Sequence, residues 1–158
     1  MRGLRLALIF SSLAASAMAR AEEPTAKCSL RIIMAQHDAP FVDPQITKLR
    51  PYLEREPFDD WKHFKLVNAK EMSLQPKGSD SEKLPNGRTA TITYVEHVMT
   101  AQGKHRVKLR LEIDHGAKKE LNTQLVLDEG GVFLQAAQKK QTKETEMLIL
   151  GISCEIPH

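Results

Sequence analysis

The sequence predicts a mostly β protein, an antiparallel β-sandwich or partly open barrel of about seven strands with one short helix. Three observations carry that expectation. Apolar and polar residues alternate over most of the chain, most cleanly in "HRVKLRLEID", where Val107, Leu109, Leu111 and Ile113 share one face. Lys108, Arg110, Glu112 and Asp114 take the other face. Turn signals recur about every 8–14 residues, the strongest being Asn86-Gly87. Helical spacing appears once, after Asp43.

Residues 1–21, "MRGLRLALIFSSLAASAMARA", read as a cleaved signal peptide. Arg2 and Arg5 make a positive start, Leu6 to Ala15 a short apolar stretch, and Ala17-Met18-Ala19 or Ala19-Arg20-Ala21 a small-residue cleavage site. A retained anchor is the competing reading, but the apolar stretch is too short and too rich in Ser and Ala to suit a bilayer span. After cleavage no integral membrane span is expected. Residues 22–158 then form a single β-rich domain, large enough to bury a core. The net charge of +3 owes much to the leader, which holds Arg2, Arg5 and Arg20 and no acid. The remaining chain is near neutral, and no nucleic-acid partner is expected.

Along that domain, "EEPTAK" is a loose leader and residues 28–35 a strand. "HDAPFVDPQ" is a loop, and Asp43 before Pro44 forms an N-cap with Pro at the first helical position. Ile46, Leu49 and Leu53 follow on one helical stripe, which Pro51 shortens, kinks or splits. The helix is expected to cover an end or an open edge. "PFDDWKHF" is an aromatic-rich connection. "FKLVNAKEMSLQ" is a strand with Phe64, Leu66, Met72 and Leu74 inward across a bulge or slip. "KGSDSEKLPNGR" is a polar loop closing in the Asn86-Gly87 hairpin. "TATITYVEHVM", with Ile92 and Tyr94 on one face, and "HRVKLRLEID" are strands. "ELNTQLVLD" alternates Leu121, Thr123, Leu125 and Leu127, and "DEGG" turns the chain. "VFLQAAQ" carries Val132, Leu134 and Ala136 inward. The lysines at 139, 140 and 143 mark a solvated loop before the last strand.

Two cysteines are present, Cys28 and Cys154. Lys27 just before Cys28 fits a lipidated cysteine badly. Neither cysteine has Cys or His neighbours at ligand spacing, and no CxxC exists. An even pair in an exported chain usually bonds. Parity agrees: Cys28, Leu30, Ile32 and Met34 share one face of the first strand, and Leu148, Leu150, Ile152, Cys154 and Ile156 one face of the last. A Cys28–Cys154 disulfide is therefore expected if those strands are neighbours, the alternative being two separate buried thiols.

The six histidines, at 37, 63, 97, 105, 115 and 158, stand apart, with no two at the spacing of a local metal site; His63 with His97 is the pair considered for a site assembled from distant strands. No metal, cofactor or catalytic residue is assigned. Candidate binding residues are Asp60, Trp61 and His63, in the densest polar and aromatic cluster, "PFDDWKHF". A carboxylate, an imidazole and an indole together suit a sugar or acid–base chemistry. The structural alternative has Asp59 and Asp60 capping the turn after Pro57, with Phe58, Trp61 and Phe64 anchored in the core. No nucleophile elbow or phosphate loop exists.

The run "LPNGR … HRVKLRLEID … LNTQLVLDEGGVFLQAAQ … LILGIS" resembles small exported β domains of Gram-negative bacteria. It is also similar to the closing β segment of secretin outer-membrane channels, in the order Leu121–Leu127, Asp128–Gly131, Val132–Gln138. The resemblance spans about half of the chain after the leader; the periplasmic repeats and membrane hairpins of a secretin are missing, and no catalytic residue carries over. It implies an envelope or secretion setting. The expected function is an exported, non-enzymatic binding or interaction module, periplasmic or secreted, with a protein partner in the cell envelope. The alternative is a small hydrolase or carbohydrate-binding protein using the Asp59–His63 region.

Overall fold

A computed structural model describes residues 22–137 and 145–157. The expected signal peptide at residues 1–21, the lysines at 139, 140 and 143, and His158 lie outside the described residues. Nine strands run in chain order: β1 (Ala26–Gln36), β2 (Phe41–Val42), β3 (His63–Leu74), β4 (Ser79–Lys83), β5 (Thr89–Met99), β6 (His105–His115), β7 (Lys118–Asp128), β8 (Val132–Ala136) and β9 (Glu146–Glu155). They form a sandwich of a five-stranded sheet, β2-β3-β1-β9-β8, and a four-stranded sheet, β4-β5-β6-β7. Every pairing is antiparallel except β2 with β3.

Seven of these strands are those the alternation predicts; β2 and β4 are additional. β4 lies inside the expected polar loop "KGSDSEKLPNGR", and its polarity reflects its place at a sheet edge. It is held by the Asn86-Gly87 turn, where the Leu84 amide donates to the Arg88 carbonyl at 2.8 Å and Gly87 adopts φ +80. Lys70 of β3 adds a tie between the sheets, donating to Asp80 Oδ1 at 2.8 Å and standing 3.4 Å from Glu82. The hydrogen bond to Lys70 holds the Asp80 carboxyl below its usual range.

The main core lies between the sheets. Cys28, Leu30 and Ile32 of β1 and Leu148, Leu150 and Ile152 of β9 pack there with Ile92 and Tyr94 of β5, Val107, Leu109, Leu111 and Ile113 of β6, and Leu125 and Leu127 of β7. A second core lies on the outer face of the five-stranded sheet. Ile33, Ala35, Phe64 and Ile149 face outward and are covered by Ile46, Leu53, Phe58 and Trp61. The helical segment thus roofs a sheet face, not an end or an edge.

Bulges explain how one strand serves both cores. Between Ile32 and Ile33 of β1 the β3 partner jumps from Asn68 to Leu66, leaving Val67 extra. An extra residue reverses which parity points which way. Phe64 and Leu66 therefore join the outer core while Met72 and Leu74 join the main one. In β8 the expected inward set is reassigned: Phe133 packs on the main core, and Leu134 and Ala136 on the outer one.

Cys28 and Cys154 face each other directly in the β1–β9 ladder, with Cα atoms 4.0 Å apart, and are bonded. The bond links positions 126 residues apart in sequence. By chain entropy a loop of that size is worth about 4–5 kcal/mol, against about 0–1 kcal/mol for an exposed ion pair such as Arg106–Asp128. The disulfide outweighs the surface charge pairs. Replacing both cysteines by serine is expected to lower unfolding stability by about 2–5 kcal/mol with strand content kept. Urea denaturation followed by circular dichroism checks this, and an unchanged midpoint would contradict it.

Arg88, just before β5, grips Glu120 of β7 through Nε and Nη2, with both side chains largely shielded from solvent. The Arg88 hydrogen bond, then its charge, hold the Glu120 carboxyl below its ordinary value of 4.5, with help from His115 and Lys118. The stability this pair supplies is fully present above that ordinary value and is lost as pH falls through the lowered one. In that window the unfolded chain binds the proton and the folded chain does not, so stability rises with pH. Glu120→Gln is expected to flatten this part of the acid limb in urea midpoints measured against pH.

Candidate functional site

Asp43 begins the helical segment. Its Oδ1 accepts from the Gln45 amide at 2.9 Å, while Oδ2 accepts from the Leu66 amide at 3.3 Å, beside the β3 bulge. One carboxylate therefore caps the segment and ties it to the sheet. The segment runs as a 3₁₀ stretch, Pro44–Leu49, kinked at Ile46, and then a single α turn, α1 (Arg50–Leu53), with Pro51 in its first turn. This matches the split that Pro51 predicts. Ile46, Leu49 and Leu53 point down onto the sheet.

Gly151 of β9 lies beneath Leu49. A Cβ there would stand 3.3 Å from both Leu49 Cδ1 and Leu134 Cδ2. The missing side chain lets the segment settle against β9. Gly151→Val is expected to cost about 1–3 kcal/mol by overpacking and to shift the emission of Trp61, the sole tryptophan, which lies in the same outer core. Equilibrium unfolding together with Trp fluorescence checks both effects, and an unperturbed emission at full stability would contradict the packing described.

The segment stands as a ridge between two grooves. One, of about 660 Å³, is bordered by Phe41, Thr47, Arg50, Glu54, Asp59 and Lys62. The other, of about 580 Å³, runs over the uncovered part of the same sheet face, past Ser29, Arg31, Lys48, Tyr52, Glu71 and Glu155. Each groove has a half-exposed aromatic at its wall: Phe41 is 42% exposed and Tyr52 41%. Arg50 pairs with Glu54 at 2.6 Å along the crest, and Arg31 pairs with Glu71 at 2.8 Å on the groove floor.

The three candidate residues do not converge. Trp61 is 8% exposed, packed in the outer core and stacked on His37 with ring centroids 4.0 Å apart. Asp60 is exposed on the turn before β3. His63 begins β3 with Nδ1 3.1 Å from the Ala39 carbonyl oxygen, an acceptor, so that nitrogen carries the hydrogen. Its ring lies 4.9 Å from that of Phe41. The turn itself is held by main-chain bonds from Phe58 to Arg55 and from Trp61 to Phe58, and by Lys62 Nζ on the Asp59 carbonyl at 2.7 Å. Phe58, Trp61 and Phe64 are buried as anchors.

Sequence reasoning missed Phe41 and Tyr52. Phe41 sits in a loop-like run between two prolines and Tyr52 follows Pro51, so neither belongs to an alternating pattern. The available signal was an aromatic off the Ile46–Leu49–Leu53 stripe, which must face outward. His97 and His105 were likewise not paired in the reading, yet the structure brings them together: His97 Nε2 lies 2.8 Å from His105 Nδ1.

Fold and site define the class of protein: a disulfide-closed antiparallel β-sandwich carrying a helical ridge, with two aromatic-walled grooves, on one face. No protein-family model, curated protein or solved structure matches the chain.

Proposed function

We propose that this chain is an exported, non-enzymatic interaction module that binds a protein of the cell envelope through the ridge face, as an accessory of an envelope or secretion assembly. The observation that carries the reading is the placement of Phe41 and Tyr52, half-exposed aromatics on either side of a capped and packed ridge, beside Arg50. Aromatic and arginine side chains dominate binding energy at protein interfaces, and a rigid platform spares the entropy of ordering them. The Cys28–Cys154 disulfide fits an oxidising compartment, periplasmic or extracellular. No helix among the described residues is long and apolar enough to cross a membrane. The secretin-like order of β7, the acidic-Gly turn and β8 supports the envelope setting.

The alternative is a carbohydrate ligand or substrate at the groove that Asp59 and Trp61 border. Against it stands the stacking of the Trp61 ring on His37, which takes up an indole face that would otherwise lie on a sugar.

A photo-crosslinking residue placed at Tyr52 is expected to capture a defined envelope protein, and the same residue at Val126, exposed on the opposite face of the sandwich, is not. Phe41→Ala with Tyr52→Ala is expected to weaken that complex by about tenfold or more with the fold intact. Equal capture from both positions, with no effect of the double variant, would sink the proposal. Glycan binding or turnover abolished by Asp59→Asn would favour the carbohydrate reading.

A further inference from the structure

The β5–β6 hairpin carries a second constellation, at the end of the sandwich near the disulfide. Its turn is closed by the Thr100 and Lys104 main chains at 2.9 Å and by Thr100 Oγ1, with Gly103 at φ +76. Just inside the turn, His97 and His105 meet nitrogen to nitrogen at 2.8 Å, with ring planes 15° apart and centroids 5.0 Å apart. Neither nitrogen of that contact is a carbonyl or carboxylate, so one imidazole donates and the other accepts a single shared hydrogen.

A bulge creates the pair. Between Tyr94 and Glu96 the β6 partner advances only from Leu109 to Lys108, leaving Val95 extra. Without it, strict alternation from Ile92 and Tyr94 would send His97 to the outer face. With it, His97 pairs with Val107, a fully buried core position, and shares the core-facing side with His105. Bulges that re-aim one side chain are a common device at sites. The pair is part-buried on a hairpin fixed by its neighbours, so its two nitrogens are held close before any ligand arrives.

We propose that His97 and His105 form a two-imidazole site for a borderline divalent transition ion, of the Zn²⁺, Cu²⁺ or Ni²⁺ class. Imidazole nitrogens bind such ions at about 2.0–2.1 Å, which places two of them about 2.9–3.4 Å apart on one metal. The observed 2.8 Å needs only a few tenths of an ångström of opening and a swing of the rings to converge. The ion takes the place of the shared hydrogen: the donor imidazole gives that proton up from the contact nitrogen and takes one from solvent on its other ring nitrogen, so both rings bind as neutral imidazoles and no net proton is lost. Among the described residues no group of three or more His, Cys, Asp or Glu side chains is placed to hold a metal. The remaining positions go to water or to a group brought by a partner, which makes the site an open one.

The test uses untagged mature protein with its disulfide intact. Calorimetric titration with ZnCl₂ or CuCl₂ is expected to show one ion per chain, with apparent affinity falling about tenfold or more in His97→Asn and in His105→Asn. His115→Asn, on a different hairpin, should leave it unchanged. Electron paramagnetic resonance of the Cu²⁺-loaded wild type should show coupling to two imidazole nitrogens, a readout that does not depend on any variant folding. No saturable binding at one ion per chain, coupling to fewer than two nitrogens, or affinity that survives both substitutions would overturn the assignment.

Discussion

Everything in this fold hangs on the seam between β1 and β9. The two strands lie side by side within the five-stranded sheet, β1 flanked by β3 on its other side, in an unbroken ladder from Lys27 with Glu155 to Gln36 with Glu146. The four-stranded sheet needs no such help, because β4, β5, β6 and β7 pair in sequence order through short turns. Closing a loop of 126 residues costs far more chain entropy than closing a hairpin. The covalent bond therefore sits in the sheet whose contacts are non-local and is absent where pairing is local. That sheet must also be made whole before it can shield either core, since β1 and β9 contribute to both.

The seam was legible in the sequence because alternation holds around each cysteine, from Ala26 to Ile32 and from Ile152 to Ile156. Cys28, Leu30 and Ile32 keep one parity, as do Leu148 to Ile156, and a cysteine on the apolar side of each strand suffices to suggest the pairing. β6 was legible for the same reason. Legibility fails wherever an element is too short or too polar to show a period. β2 has two residues, and β4, "SDSEK", is a polar edge strand tied to β3 through Lys70 and Asn68. β8 was read as a strand but its faces were exchanged, because both of its sides are covered and parity alone does not say which core is which.

The ridge was half legible. Asp43, Pro44 and the Ile46–Leu49–Leu53 stripe announce a capped helical segment and its buried side. What they cannot announce is the surface it lands on, because that depends on the Val67 bulge turning Phe64 and Leu66 outward and on Gly151 leaving room for Leu49. The aromatic cluster was found in the sequence, yet its largest members serve the outer core. The exposed aromatics that wall the grooves stand outside any pattern.

A period-two sequence can by itself describe only a slab with one wet and one dry face. The three irregular steps in this sandwich are what turn the slab into a surface with places on it. The extra Val67 gives β3 two dry faces and so a floor for the ridge; the extra Val95 turns His97 against His105; the extra Glu120, between the partners of Ile113 and Asp114, meets Arg88 across the sheet. Each bulge breaks ladder hydrogen bonding locally and would be costly in a loosely closed fold. The locked seam supplies the margin that tolerates them. Departures from alternation, not the alternation itself, are therefore what give this surface its grooves and its paired side chains.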